Sequence, residues 1–72
     1  MPRRRPGAPV AARLRQLRHG RQLTQRQLAD RAQISLECVW TIENGRKYPR
    51  RSTMALIARA LEIPVAELLE AS

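Results

Sequence analysis

Residues 23–49 read LTQRQLADRAQISLECVWTIENGRKYP, running from Leu23 to Pro49, and the punctuation of this stretch decides the fold. Thr24 followed three residues later by Gln27 is a capping box, and Leu28, Ala29 and Ala32 recur behind it on one face, which predicts a short helix. The pattern breaks at Gln33 and Ile34. Ser35 then caps a second helix whose apolar side is Val39 and Ile42 and whose end is marked by Asn44 and Gly45. The first helix carries a small residue, Ala29, on its inner face, where a partner helix can cross closely.

Two short helices joined by a tight turn with a close crossing are the layout of a helix-turn-helix, in which the second helix is offered to the DNA major groove. With Val39 and Ile42 set inward at about 100° per residue, Glu37, Thr41 and Asn44 fall on the outward side. Leu36 and Trp40 lie along one flank and Cys38 on the other. Glu37 can accept from a cytosine amino group, Thr41 can bond a base or touch a thymine methyl, and Leu36 offers apolar contact only. Glu37 also reads as an ordinary solvated acid. Trp40 reads either as a partly buried lid or as a group packing on a sugar or thymine methyl.

Outward from this core, Val10, Leu14 and Leu17 recur at helical spacing up to about His19, with Arg13, Arg15 and Arg18 between them and Gly20 as the expected stop. The preceding MPRRRPGAP, residues 1–9, is interrupted by Pro2, Pro6, Gly7 and Pro9 and is expected to be a flexible basic arm. On the other side, residues 45–51 form a basic loop with Arg46, Lys47, Arg50 and Arg51, held out of helix by Pro49. Ser52 or Thr53 is expected to open a helix with Met54, Ile57, Ala58 and Leu61 inside, broken by Pro64, and a short last helix carries Val65, Leu68 and Leu69. About five helices with no strand pattern predict a compact all-α bundle, one domain over residues 10–72.

The chain has 72 residues, 14 Lys and Arg against 6 Asp and Glu, and a net charge of +8. That suits one small core and a polyanionic partner. The charge is also positional: Arg3, Arg4, Arg5, Arg13, Arg15, Arg18, Arg21 and Arg26 precede the first acid, Asp30, while Glu62, Glu67 and Glu70 crowd the end. Charge alone equally fits a solvated surface, RNA or a membrane surface. No apolar run approaches the roughly 18 residues of a spanning helix and no signal core follows Met1, so a cytoplasmic protein is expected. Cys38 is the single cysteine, and with His19 it makes too few soft ligands for a zinc site. No phosphate loop, nucleophile triad or carboxylate pair stands out. The expectation is a non-enzyme without cofactor or metal.

These residues resemble the phage repressor and Cro type of helix-turn-helix proteins, also called the xenobiotic-response-element type, over about residues 14–69. The resemblance is carried by Arg15 and Arg18, by LTQ with Leu28 and Ala29, by Ile42-Glu43-Asn44-Gly45-Arg46, by Pro49, and by LIARALEI followed by ELL. It implies a lambda-repressor-like fold and a homodimeric transcriptional regulator, in first place a repressor, bound to operator DNA. Leu36, Glu37, Trp40 and Thr41 then stand at or beside base-contacting positions, and Gln25, Asn44, Arg46, Lys47 and Arg50 at backbone-contacting ones. Arg3, Arg4 and Arg5 either follow the DNA as an arm or merely solubilise. Arg18 and Glu43 occupy positions that pair as a structural salt bridge in similar repressors. Gln22 and Gln33 stand where such proteins commonly have Gly, so a left-handed Gln33 would cost on the order of 1 kcal/mol.

Two function classes follow, with a non-specific nucleoid or RNA binder as a weaker third. One is a self-sufficient homodimeric regulator. The other is an antitoxin that binds DNA but whose main partner is a toxin protein; such a chain usually carries an extra partner-binding segment, which is not expected here because the fold occupies nearly all of the residues. A protein partner, toxin or transcription machinery, is compatible with either. Ile63, Val65, Leu68 and Leu69 are expected to supply more apolar surface than one short helix buries, and so a dimer interface.

Overall fold

The computed structural model describes residues 8–69. Within them the chain is five helices: α1 (Ala8–Gly20), α2 (Gln25–Ala32), α3 (Leu36–Glu43), α4 (Arg51–Ala60) and α5 (Val65–Leu69). No strand occurs among the described residues. α1 packs on α3 and α5, α2 on α3 and α4, and α4 on α5. The core is where their apolar faces meet, with Leu14, Leu28, Val39, Ile57, Leu61 and Leu68 fully buried. Ala29, 2% exposed, lies on the inner face of α2, where a larger side chain would push α3 away.

Local chemistry explains where α2 and α3 begin. Thr24 is an extended N-cap whose hydroxyl accepts from Gln27 N at 3.0 Å, while the Gln27 side chain accepts from Thr24 N at 2.9 Å. The capping box therefore satisfies two helix-end donors. Ser35 caps α3 by accepting from Cys38 N at 3.0 Å. Two starts differ from expectation. α1 begins at Ala8 rather than Val10, because a proline in the first turn has the φ a helix needs and lacks only a donor that would be unpaired there. α4 begins at Arg51, capped in extended conformation by Arg50 and without a side-chain cap, so neither Ser52 nor Thr53 opens it. The expected arm lies, through residue 7, outside the described residues, and with it Arg3, Arg4 and Arg5.

The helix ends share one device. After α1, Leu23 N donates to Arg18 O and Gln22 N to His19 O; after α2, Ile34 N donates to Ala29 O and Gln33 N to Asp30 O. After α3 the same pair is Arg46 to Thr41 and Gly45 to Ile42, and after α4 it is Ile63 to Ala58 and Glu62 to Arg59. Each is a Schellman ending, which needs a left-handed residue at the turn. That residue is Gln22 (φ 56°), Gln33 (φ 58°), Gly45 (φ 69°) and Glu62 (φ 58°). Gly20 is thus not the stop expected for α1: it is the last helical residue, and Gln22 two positions later makes the turn.

One expected surface residue is internal. Leu68 is 0% exposed within the core that α1, α4 and α5 share, so it is removed from the expected dimer interface. Leu69 stays exposed, and Ile63 and Val65 are half-buried against the core.

Candidate nucleic-acid interface

α3 is amphipathic by placement. Val39 and Ile42 face the core, Glu37 is exposed, Thr41 is half-buried, and Leu36 and Trp40 stand out at 43% and 45% exposure. Glu37 and Thr41 open onto a cleft of about 360 Å³ whose opposite wall is Lys47, Tyr48, Pro49, Arg50 and Thr53. Two of the expected base-facing side chains and two of the expected backbone-facing cations therefore share one concavity. Leu36 and Trp40 lie outside it, on the other flank, where the Arg46 guanidinium sits 5.3 Å from the Trp40 ring centroid. Trp40 is thus partly covered, with Arg46 beside its ring.

Below this face a buried polar network fixes how α3 is presented. Arg18 donates from Nε to Glu43 Oε2 at 2.6 Å and from Nη2 to Glu43 Oε1 at 3.0 Å, a bidentate pair 9% and 2% exposed. A third donor, Nη1, reaches Leu23 O at 2.8 Å. Every buried side-chain polar atom among the described residues has a partner, which the pair needs because a half-satisfied buried charge is strongly destabilising. Arg15 donates to the backbone carbonyl of Glu43, placing a cation at the C-terminal end of α3 where the helix dipole favours it.

Gln25 and Asn44 are less free than a sequence pattern suggests. Gln25 Nε2 donates to Glu43 Oε1 at 3.1 Å, so this side chain is turned inward to the ion pair. Asn44 caps α3 and donates from Nδ2 to Trp40 O at 2.7 Å. By contrast, Arg46, Lys47 and Arg50 are exposed after the helix. Glu37 is the one acid on the exposed face of α3 among the described residues, since Glu43 points inward.

Residues 9–71 match the family model described as a helix-turn-helix domain. The chain belongs to the phage repressor and Cro type of helix-turn-helix family. It is 36% identical over 56 residues to the HTH-type transcriptional activator BcrR of Enterococcus faecalis, covering 78% of this chain and 28% of that protein. It is likewise 36% identical over 66 residues to the uncharacterized HTH-type transcriptional regulator RghRB of Bacillus subtilis, covering 90% and 48%. The chain thus spans half or less of these relatives. Among solved structures it superposes on the restriction-modification controller protein C.AhdI of Aeromonas hydrophila with a TM-score of 0.83 at 29% identity, covering 86% and 94% of the two chains. The clp gene regulator ClgR of C. glutamicum gives 0.79 at 30% identity, covering 96% and 87%.

Several contacts of this helix-turn-helix domain were not read from its sequence. Besides Gln25 to Glu43 and Arg15 to the α3 terminus, Arg13 ties α1 to α5 through Glu67: Nε donates to the Glu67 carbonyl at 3.1 Å, and Nη2 lies 3.7 Å from Oε1. One signal was available. Arg15 and Arg18 are three residues apart on α1, so both heads can reach the same end of a crossing helix. Nothing local pairs Arg13 with a residue 54 positions away. No group of potential metal ligands occurs among the described residues, and no helix there is long and apolar enough to cross a membrane.

Proposed function

We propose that this chain is a sequence-specific DNA-binding transcriptional regulator, in first place a repressor, which binds an operator as a homodimer with α3 in the major groove. The observation that carries the reading is the cleft that joins Glu37 and Thr41 of α3 to Lys47 and Arg50 of the following loop. Base-reading groups beside phosphate-neutralising ones are what groove recognition requires, since backbone contacts set the register in which side chains meet base edges. The similarity to a transcriptional activator, a restriction-modification controller protein and a clp gene regulator supports the class of transcriptional regulator.

In this reading Glu37 accepts from a cytosine amino group, Thr41 meets a base or a thymine methyl, and Leu36 makes apolar contact, with Trp40 beside it on the same flank. Arg46, Lys47 and Arg50 neutralise phosphates. Gln25 and Asn44 are further candidates for backbone contact beside their bonds to Glu43 and Trp40, and Arg3, Arg4 and Arg5, outside the described residues, either follow the DNA as an arm or merely solubilise. Occupying an operator that overlaps a promoter excludes polymerase, which is repression.

Selection of bound sites from random duplex DNA tests this directly. Wild type should return a consensus with two half-sites about 10 to 10.5 base pairs apart. Glu37→Ala and Thr41→Ala should each relax preference at one position per half-site, by roughly 1 to 3 kcal/mol per lost contact, with the fold intact. A library returned without enrichment would remove sequence-specific recognition. An unchanged consensus from both variants would move the reading face elsewhere.

A further inference from the structure

We propose that Trp40 is a positioning residue that holds Arg46 as a preformed phosphate clamp on the flank of α3. The inference rests on the DNA-binding reading above, and it names a pair that the reading does not distinguish from the other cations.

Trp40 is the only tryptophan of the chain, and it stands 45% exposed on α3. Gly45, left-handed at φ 69°, reverses the backbone after α3, and Arg46 N donates back to Thr41 O at 3.2 Å. The reversal lays Arg46 over a side chain six residues earlier, with its guanidinium carbon 5.3 Å from the indole centroid. Both the root and the head of Arg46 are thereby held. The manner of holding matters, because a cation–π contact, unlike an ion pair, consumes none of the guanidinium N–H donors. Arg18 and Arg13 spend theirs on Glu43 and Glu67. Among the described residues no carboxylate or carbonyl takes the side-chain donors of Arg46. An arginine held in place with free donors loses less rotamer freedom on meeting a phosphate than the neighbouring Lys47, a flexible point charge.

Phosphate contact does not depend on sequence, so a mixed-sequence duplex in roughly 50 mM salt serves as the probe. Anisotropy of a labelled duplex gives the affinity of wild type, Trp40→Leu, Arg46→Ala and the double variant. Trp40→Leu should weaken binding about two- to fivefold, the range of an exposed cation–π contact. Arg46→Ala should weaken it about tenfold, as loss of one charge-assisted contact. The double variant should be no weaker than Arg46→Ala alone, and Trp40→Tyr, which keeps an aromatic face, should bind nearly as wild type. In the free protein, Arg46→Ala should make Trp40 fluorescence more accessible to acrylamide. Losses that multiply in the double variant, or Trp40→Leu binding as wild type, would overturn the clamp while leaving DNA binding standing. Wild type that fails to bind the duplex would overturn both. Unchanged thermal unfolding by circular dichroism separates these effects from a loss of fold, and Trp40→Tyr carries the comparison should Trp40→Leu unfold.

Discussion

Glu43 shows how much one residue can organise in so small a protein. Its carboxylate takes two donors from Arg18 and one from Gln25, and its carbonyl takes one from Arg15, so α1, α2 and α3 converge on a single side chain and its backbone. The pair is almost fully buried, and its worth is best seen by breaking it. Arg18→Met should destabilise the domain by roughly 3 to 5 kcal/mol, because Glu43 is left charged in the core. That is a large share of the stability of a domain of this size. Combining Arg18→Met with Glu43→Leu should recover much of the loss, because two apolar side chains need no partner. Denaturant midpoints of the single and double variants check this. Equal midpoints for the single and the double would show that the buried charge is not what matters.

At the scale of the element, four helices end alike and only one uses the residue best suited to it. Gly45 makes the left-handed turn after α3, whereas Gln22, Gln33 and Glu62 adopt the same conformation with a Cβ. Each non-glycine turn costs about 1 kcal/mol relative to glycine. Gln33→Gly should therefore raise stability by up to about that amount, which in a domain of this size is about 4 to 8 °C in Tm. Gly45→Ala should lower it comparably. Gly20 offers the converse test: it is helical, a Cβ there meets nothing within 4 Å, and Gly20→Ala should stabilise by about 0.5 kcal/mol or more. Calorimetry on the three variants reads all of this. A lower Tm for Gln33→Gly would mean that the Gln33 side chain makes contacts worth more than the strain.

For the whole molecule, the question is how two copies would meet while both reading helices stay free. One eight-residue helix touches few base pairs, so a two-fold pair is the expected solution for site selection. The burial of Leu68 narrows the surface to Leu69, backed by Ile63 and Val65. Leu69→Asp should leave the monomer folded and halve the number of protomers per selected operator in analytical ultracentrifugation. Leu68→Ala should act differently, lowering stability by about 2 to 5 kcal/mol as a core truncation. A wild-type complex with one protomer per operator would refute the dimer. Binding should also weaken steeply with salt, log K falling by about 0.9 per phosphate neutralised for each unit of log salt. Affinity independent of salt would exclude Arg46, Lys47 and Arg50 as backbone contacts.

Helix count, order and inner faces were legible in the chain because they depend on spacing and capping, which are local: Thr24 with Gln27, Ser35 before Leu36, Val39 and Ile42 three apart. The outward side of α3 followed from the same periodicity. Exact ends were less legible. Pro9 and Arg50 permit a helix edge without announcing it, and a left-handed glutamine carries no signature in sequence. Only tertiary structure decided that Leu68 is core, that Gln25 turns to Glu43, that Arg13 reaches Glu67, and that Arg46 lies on Trp40. The first three depend on which helix crosses which, and the last on how the chain reverses at Gly45. Periodicity states which face of a helix is apolar; what stands opposite that face is set by the packing of the other four.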